Sequence, residues 1–163
     1  MNLGLSKQEV FDGGILVMLV GPPGAGKSTI AENIKKEYMN FEIVCPDEIR
    51  KEVTGDANDQ SRNVEVFGKV YNKLTELLDD GINVVYDATN CRSAYRHKIL
   101  NVCKDSFKKV ICIVVTTPIG DCLDRNKNHY ERTVPEDVIE NMYFTLKKHP
   151  PTIFEGYDAI FKA

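Results

Sequence analysis

The sequence predicts an α/β fold, a three-layer sandwich in which a parallel sheet of four to five strands carries helices on both faces. Three observations point there. Short apolar runs (Ile15–Val20, Phe41–Cys45, Ile82–Tyr86 and Val110–Val115) recur along the chain, separated by stretches of helical length and pattern. The first and last of these runs are apolar throughout, as strands covered on both faces should be. Gly21, Asp47 and Asp87 follow the first three runs, at the carboxyl ends where such sheets bind ligands.

The elements follow in order. Residues 1–14, ending in Asp12-Gly13-Gly14, read as a lead-in to the strand Ile15–Val20. A helix beginning near Lys27 places Ile30 and Ile34 on one face. Phe41–Cys45 forms the second strand, and Pro46-Asp47 opens a helix, since proline suits a first helical turn. Val64, Phe67, Tyr71, Leu74 and Leu78 recur at steps of three and four and mark a long amphipathic helix that Gly81 ends. Ile82–Tyr86 is the third strand, followed by a helix over Arg92–Lys104 capped by Asn90 or Ser93. After Val110–Val115 come a helix over Pro118–Arg125, a charged lid at about residues 126–134, and a helix over Pro135–Lys148. Gly156–Lys162 supplies a last short strand, so residues 1–163 read as a single domain.

Bulk properties narrow the function. A net charge of −3 and a pI near 5.7 oppose a broad electrostatic grip on duplex DNA, yet leave room for a small basic pocket holding one strand end. The five cysteines contain no C-x-x-C pair, which opposes a zinc site or a disulfide framework and suits a reducing compartment. No apolar run is long enough to span a membrane, and the N-terminus lacks the order of a secretory signal. The expectation is a cytoplasmic protein.

Gly21-Pro-Pro-Gly-Ala-Gly-Lys27-Ser28 matches the phosphate-loop pattern G-x-x-x-x-G-K-[ST] in full. Gly21, Gly24, Ala25, Gly26 and Thr29 belong to the backbone cradle expected around the phosphates of ATP, and the helix beginning at Lys27 adds its positive end. Lys27 is expected to reach the β- and γ-phosphates and Ser28 to ligate Mg²⁺. A dinucleotide fingerprint fits worse, because Thr29 stands where its last glycine belongs.

Asp47 and Arg50 lie three apart in a first helical turn, so both side chains can point into one pocket. There Asp47 would take the proton of an attacking hydroxyl and Arg50 would fork onto a phosphate of the acceptor. The same pair also suits a helix-dipole carboxylate with a surface arginine partner. Asp87, ending a strand beside the phosphate loop, is expected to position Mg²⁺, or else caps a turn. Arg92, Arg96, His97 and Lys98 follow as a basic cluster that would track a nucleic-acid backbone or form a solvated helix face. Arg125, Lys127, His129 and Arg132 form a positive stretch suited to closing over a nucleotide, or an ordinary basic loop.

Together "GPPGAGKST", "DEIR", "DATN", and "RN" followed nine residues after the arginine by "VP", the sequence resembles the kinase domain of the phage polynucleotide 5′-hydroxyl kinases. The resemblance spans about Gly21 to Pro135. It implies a P-loop kinase fold with ATP and Mg²⁺ bound through Lys27 and Ser28. Asp47 is then the general base, Arg50 holds the phosphate beside the acceptor nucleotide, Asp87 supports the metal and loop, and Arg125 clamps ATP. The implied partner is the 5′-hydroxyl end of a single-stranded or nicked nucleic acid. Where the family commonly has a second lid arginine, this chain has His129, and either Arg132 takes that role or the lid works less well. Two other readings remain at this stage: a P-loop kinase for a small metabolite, and a nucleotide-binding switch without a dedicated acceptor.

Overall fold

A computed structural model describes residues 2–129 and 133–163. Its elements run α1 (Lys7–Asp12), β1 (Ile15–Val20), α2 (Lys27–Glu37), β2 (Phe41–Val44), α3 (Pro46–Thr54), α4 (Asn63–Asp79), β3 (Asn83–Tyr86), α5 (Ser93–Cys103), β4 (Lys109–Val114), α6 (Ile119–Lys127), α7 (Glu136–Lys148) and β5 (Ala159–Lys162). The five strands form one sheet in the order β2-β3-β1-β4-β5, and every pairing is parallel. The α/β sandwich expected from the apolar runs is what the chain adopts.

Period-two geometry divides β1 between two cores. Leu16, Met18 and Val20 face a core built with Val66, Val70, Leu74 and Leu78 of α4 and Ile99, Leu100 and Cys103 of α5. Ile15, Val17 and Leu19 face the other side, against Ala31 and Ile34 of α2 and Val10 of α1. All six β1 residues are buried, which explains their unbroken apolar run. Tyr86 pairs with Val44 on one side and Met18 on the other, so β1, β2 and β3 end at nearly one level.

Two regions depart from the sequence reading. The lead-in contains α1, closed by a reciprocal capping box between Ser6 and Glu9. Buried Asn83 ties it down, donating to the Val10 carbonyl at 2.8 Å and accepting from the Ile15 amide at 3.0 Å. The other departure concerns α5. Neither Asn90 nor Ser93 caps it: the N-cap is Arg92, which makes no side-chain cap bond. Asn90 adopts a left-handed backbone (φ 49) and instead donates to the Leu19 carbonyl at 2.7 Å, lacing the end of β3 to the end of β1.

Arg96 is also not a surface cation. It is wholly buried and spends every N–H inside the fold, on Glu155 (2.8 and 2.7 Å) and on the carbonyls of Asn90, Cys91 and His149. The predicted basic cluster therefore loses its central member to a structural role. Lys98 lies over the Tyr71 ring at 5.3 Å and Arg92 near Tyr95 at 6.0 Å. Removing one partner of a buried ion pair strands the other charge. Glu155→Gln and Arg96→Met should each lower unfolding free energy by about 3–5 kcal/mol. A urea midpoint unchanged in both variants would contradict this role.

Candidate active site

The carboxyl ends of β1, β2 and β3 open into a cleft of about 510 Å³. The loop after β1 forms its donor side. Gly24 (φ +77) and Gly26 (φ +98) take left-handed backbone, and a Cβ at Gly24 would lie 2.3 Å from the Cys122 carbonyl oxygen. Pro23, Gly24, Gly26, Lys27, Ser28 and Thr29 line the cleft. Gly21 and Ala25, also expected to hold nucleotide, serve the loop itself. Their amides donate to the carbonyls of Thr89 (2.9 Å) and Pro22 (3.2 Å).

Lys27 curls back along its loop and donates to the Pro22 carbonyl at 2.9 Å. Burial pushes its ammonium below the ordinary lysine range, against the opposing charge of Asp87. A buried cation of this kind gains from an anion brought beside it. Ser28 Oγ donates to Asp87 Oδ2 at 2.7 Å, joining the two residues expected at the metal. A hydroxyl and one carboxylate are hard oxygen donors, and Mg²⁺ ordinarily completes its shell with phosphate oxygens and water. Among the described residues no group of three or more His, Cys, Asp or Glu could hold a metal by itself. The donor set therefore fits a magnesium ion bound together with nucleotide.

The second wall is built on α3. Pro46 occupies its first turn, and Asp47, Glu48 and Lys51 project into the cleft with Cys45, Ala57, Ala88 and Thr89. Arg50 sits beneath this wall. Its side chain is only 5% exposed and lies under Asp47, with Nη1 at 2.6 Å from Asp47 Oδ1. The same guanidinium approaches the Ala57 carbonyl at 3.5 Å and Asn63 Oδ1 at 3.4 Å. Among the described residues that line the cleft, Arg50 is absent.

The third wall comes from the end of α6 and the residues beyond it, through Arg125, Asn126, His129 and Val134. Arg125 Nη1 donates to the carbonyls of Gly24 (3.3 Å) and Ala25 (3.4 Å), and Thr117 Oγ1 to Ala25 at 2.7 Å. The helix runs on through Arg125 to Lys127, so the expected lid begins inside it. Basic residues in a last turn favour that extension through the helix dipole. Buried Asn126 closes the base of the following segment, donating to the Val134 carbonyl (2.8 Å) and accepting from its amide (3.0 Å). His129 lines the cleft, whereas Arg132 lies outside the described residues.

Of the residues singled out in the sequence, Lys27, Ser28, Asp47, Asp87 and Arg125 line the cleft, and Cys45, Glu48, Lys51 and Thr89, which were not singled out, line it as well. The signal for Lys51 was present, since i and i+4 share a helix face as surely as i and i+3.

This geometry can be set beside known proteins. A family model described as AAA domain matches residues 16–149. The chain belongs to that family. It is a P-loop kinase-type domain, which accords with the phosphate loop and the cleft. A solved structure of the Pnkp1/Rnl/Hen1 RNA repair complex superposes with a TM-score of 0.77 at 24% identity, covering 83% of this chain and 45% of that one. Kti12 of Chaetomium thermophilum, solved with ADP-AlF3, superposes with a TM-score of 0.71 at 14% identity over 91% of this chain and 88% of that one. These likenesses show the fold. Shikimate kinase of Corynebacterium efficiens is 39% identical over 61 residues, 37% of this chain and 30% of that protein. The chain thus matches less than half the length of the RNA repair polypeptide and of the shikimate kinase. Among the described residues no helix is long and apolar enough to cross a membrane.

All five cysteines are unpaired thiols, and Cys45 is the one that lines the cleft. Burial pushes its thiol up to about 11. The reactive thiolate is therefore scarce at pH 8 and grows as pH rises toward 11. Iodoacetamide should label Cys45 slowly at pH 8, faster at pH 10, and more slowly again with saturating nucleotide. Fast labelling at pH 8, read by peptide mass, would contradict the assigned environment.

Proposed function

We propose that this chain transfers the γ-phosphate of ATP to the 5′-hydroxyl end of a polynucleotide, DNA or RNA. The observation that carries the reading is the meeting of two halves in one cleft. Lys27 with the Ser28–Asp87 pair makes the donor half, and Asp47 backed by Arg50 makes the acceptor half. A nucleotide switch has no use for the second half. The D-E-I-R, D-A-T-N and R-N…V-P elements, resembling the polynucleotide kinases, and the fold shared with the RNA repair complex support the polynucleotide acceptor.

In this reading the loop amides and Lys27 would cradle the phosphates of ATP, while Ser28 and Asp87 would hold Mg²⁺. When bound, the ion would neutralise charge on the β- and γ-phosphate oxygens. Asp47 accepts the proton of the 5′-hydroxyl as that oxygen attacks phosphorus, and the bond to ADP breaks in line. Arg125, already against the loop carbonyls of Gly24 and Ala25, stands where it can reach the phosphates, and His129 and Arg132 follow it in the expected lid. A small-metabolite kinase is the second reading, favoured by the local identity to shikimate kinase.

The two readings separate on acceptors. With labelled ATP and Mg²⁺, transfer should occur to an oligonucleotide ending in a 5′-hydroxyl and not to its 5′-phosphorylated copy. Polyol and sugar-acid acceptors should remain unlabelled. Transfer to a small polyol with both oligonucleotides unlabelled would establish the second reading instead.

A further inference from the structure

We propose that the flank where α4 meets α5 is a track for single-stranded nucleic acid, holding the strand behind its reacting end by stacking and charge; this rests on the polynucleotide reading above. Two helices build it. On α4, Val64, Phe67 and Tyr71 follow at steps of three and four and so share one face. On α5, Tyr95 and Lys98 lie one turn apart. Lys98 Nζ stands 5.3 Å from the centre of the Tyr71 ring, so the two helices meet along this flank.

The track begins at the cleft. Thr89 lines the cleft, and Arg92, three residues on, opens α5. Asn63, the first residue of α4, meets Arg50 under Asp47 at 3.4 Å. Both helices then lead back from the carboxyl edge of the sheet, as crossovers between parallel strands do. From Val64 to Tyr71 α4 advances about 10 Å, the length of about three stacked bases.

Exposure and charge suit an unpaired strand. Val64 is 92% exposed and Tyr95 56%. Phe67 and Tyr71 are half-buried with ring centres 6.0 Å apart, so packing against the core holds both rings while part of each stays open to solvent. Arg92 and Lys98 are exposed, and their cationic heads stand beside the rings of Tyr95 and Tyr71. Among the described residues neither head is in an ion pair. Rings interleaved with cations bind single strands irrespective of sequence, because every base has a π-face and every linkage a phosphate. A duplex hides its base faces. Continuity with the cleft and two uncommitted cations on a chain of net charge −3 favour a nucleic acid over a protein on this flank.

Acceptor length tests the track. Steady-state transfer from ATP is compared between a 5′-hydroxyl dinucleotide, which fills only the cleft, and a 5′-hydroxyl oligothymidylate of about ten nucleotides. Wild type should show a lower KM for the longer acceptor. Tyr95→Leu should raise that KM about fivefold or more and leave the dinucleotide's KM in place, whereas Tyr95→Phe, which keeps the ring, should match wild type. Lys98→Gln should reduce the logarithmic salt slope of oligothymidylate binding by about 0.7. Lys69→Gln, which removes an exposed α4 lysine beside Glu65, serves as the charge control, and ATP affinity reports whether each variant is folded. Equal KM values for the two acceptors in wild type, or a long-acceptor KM that Tyr95→Leu and Lys98→Gln both leave unchanged, would overturn the track while the polynucleotide reading stands. Wild-type protein that binds ATP but phosphorylates neither acceptor would overturn both.

Discussion

The structure depends on β1 being held between two parallel neighbours. Its ladders to β3 and β4 fix where the chain must turn, and the phosphate loop begins at that turn. Parallel strands deliver their carboxyl ends to the same edge of the sheet, so Gly21, Asp47 and Asp87 arrive together without any contact among distant loops having to be arranged. Three bonds then lock the edge. The Gly21 amide reaches the Thr89 carbonyl, Asn90 reaches the Leu19 carbonyl, and the Asp87 amide reaches the Val44 carbonyl. The two sides of the cleft, on the phosphate loop and on α3, consequently share one rigid support.

Farther back, buried charges do structural work that resembles function in the sequence. Arg96 gathers the carbonyls of Asn90 and Cys91, at the end of the D-A-T-N element, and anchors them to Glu155 near the C-terminus. Asn126 pins Val134 in the same manner at the base of the expected lid. Each uses a planar group with several hydrogen-bonding atoms to satisfy backbone that the loops would otherwise leave unpaired. Such residues brace the backbone that borders the cleft.

Much of this was legible in the sequence because the strands are fully buried and the phosphate loop has an unambiguous spacing. Continuous apolar runs located β1 and β4, and the loop, Asp47 and Asp87 marked the edge. Helix α1 was not found, since one turn of amphipathic pattern is weak and its stability comes from Asn83, far along the chain. Nor does spacing reveal which side of α3 Arg50 occupies. Residues i and i+3 are neighbours on a helix, but the packing of α3 against α4 decides that Asp47 is half-buried at the cleft and Arg50 buried. In the basic stretch Arg92, His97 and Lys98 do form an exposed helix face, and only Arg96 departs from that reading, because charge is written in sequence whereas burial is a property of the assembled layers.

The central claim is that Asp47 acts chemically on an acceptor held against the phosphate loop, rather than merely opening α3. Single-turnover transfer from ATP to a 5′-hydroxyl oligonucleotide, compared between wild type and Asp47→Asn alongside each protein's ATP dissociation constant, tests it most directly. The account predicts a transfer rate about 10²–10⁴-fold lower with ATP affinity essentially unchanged. An Asn variant that transfers at the wild-type rate would contradict it.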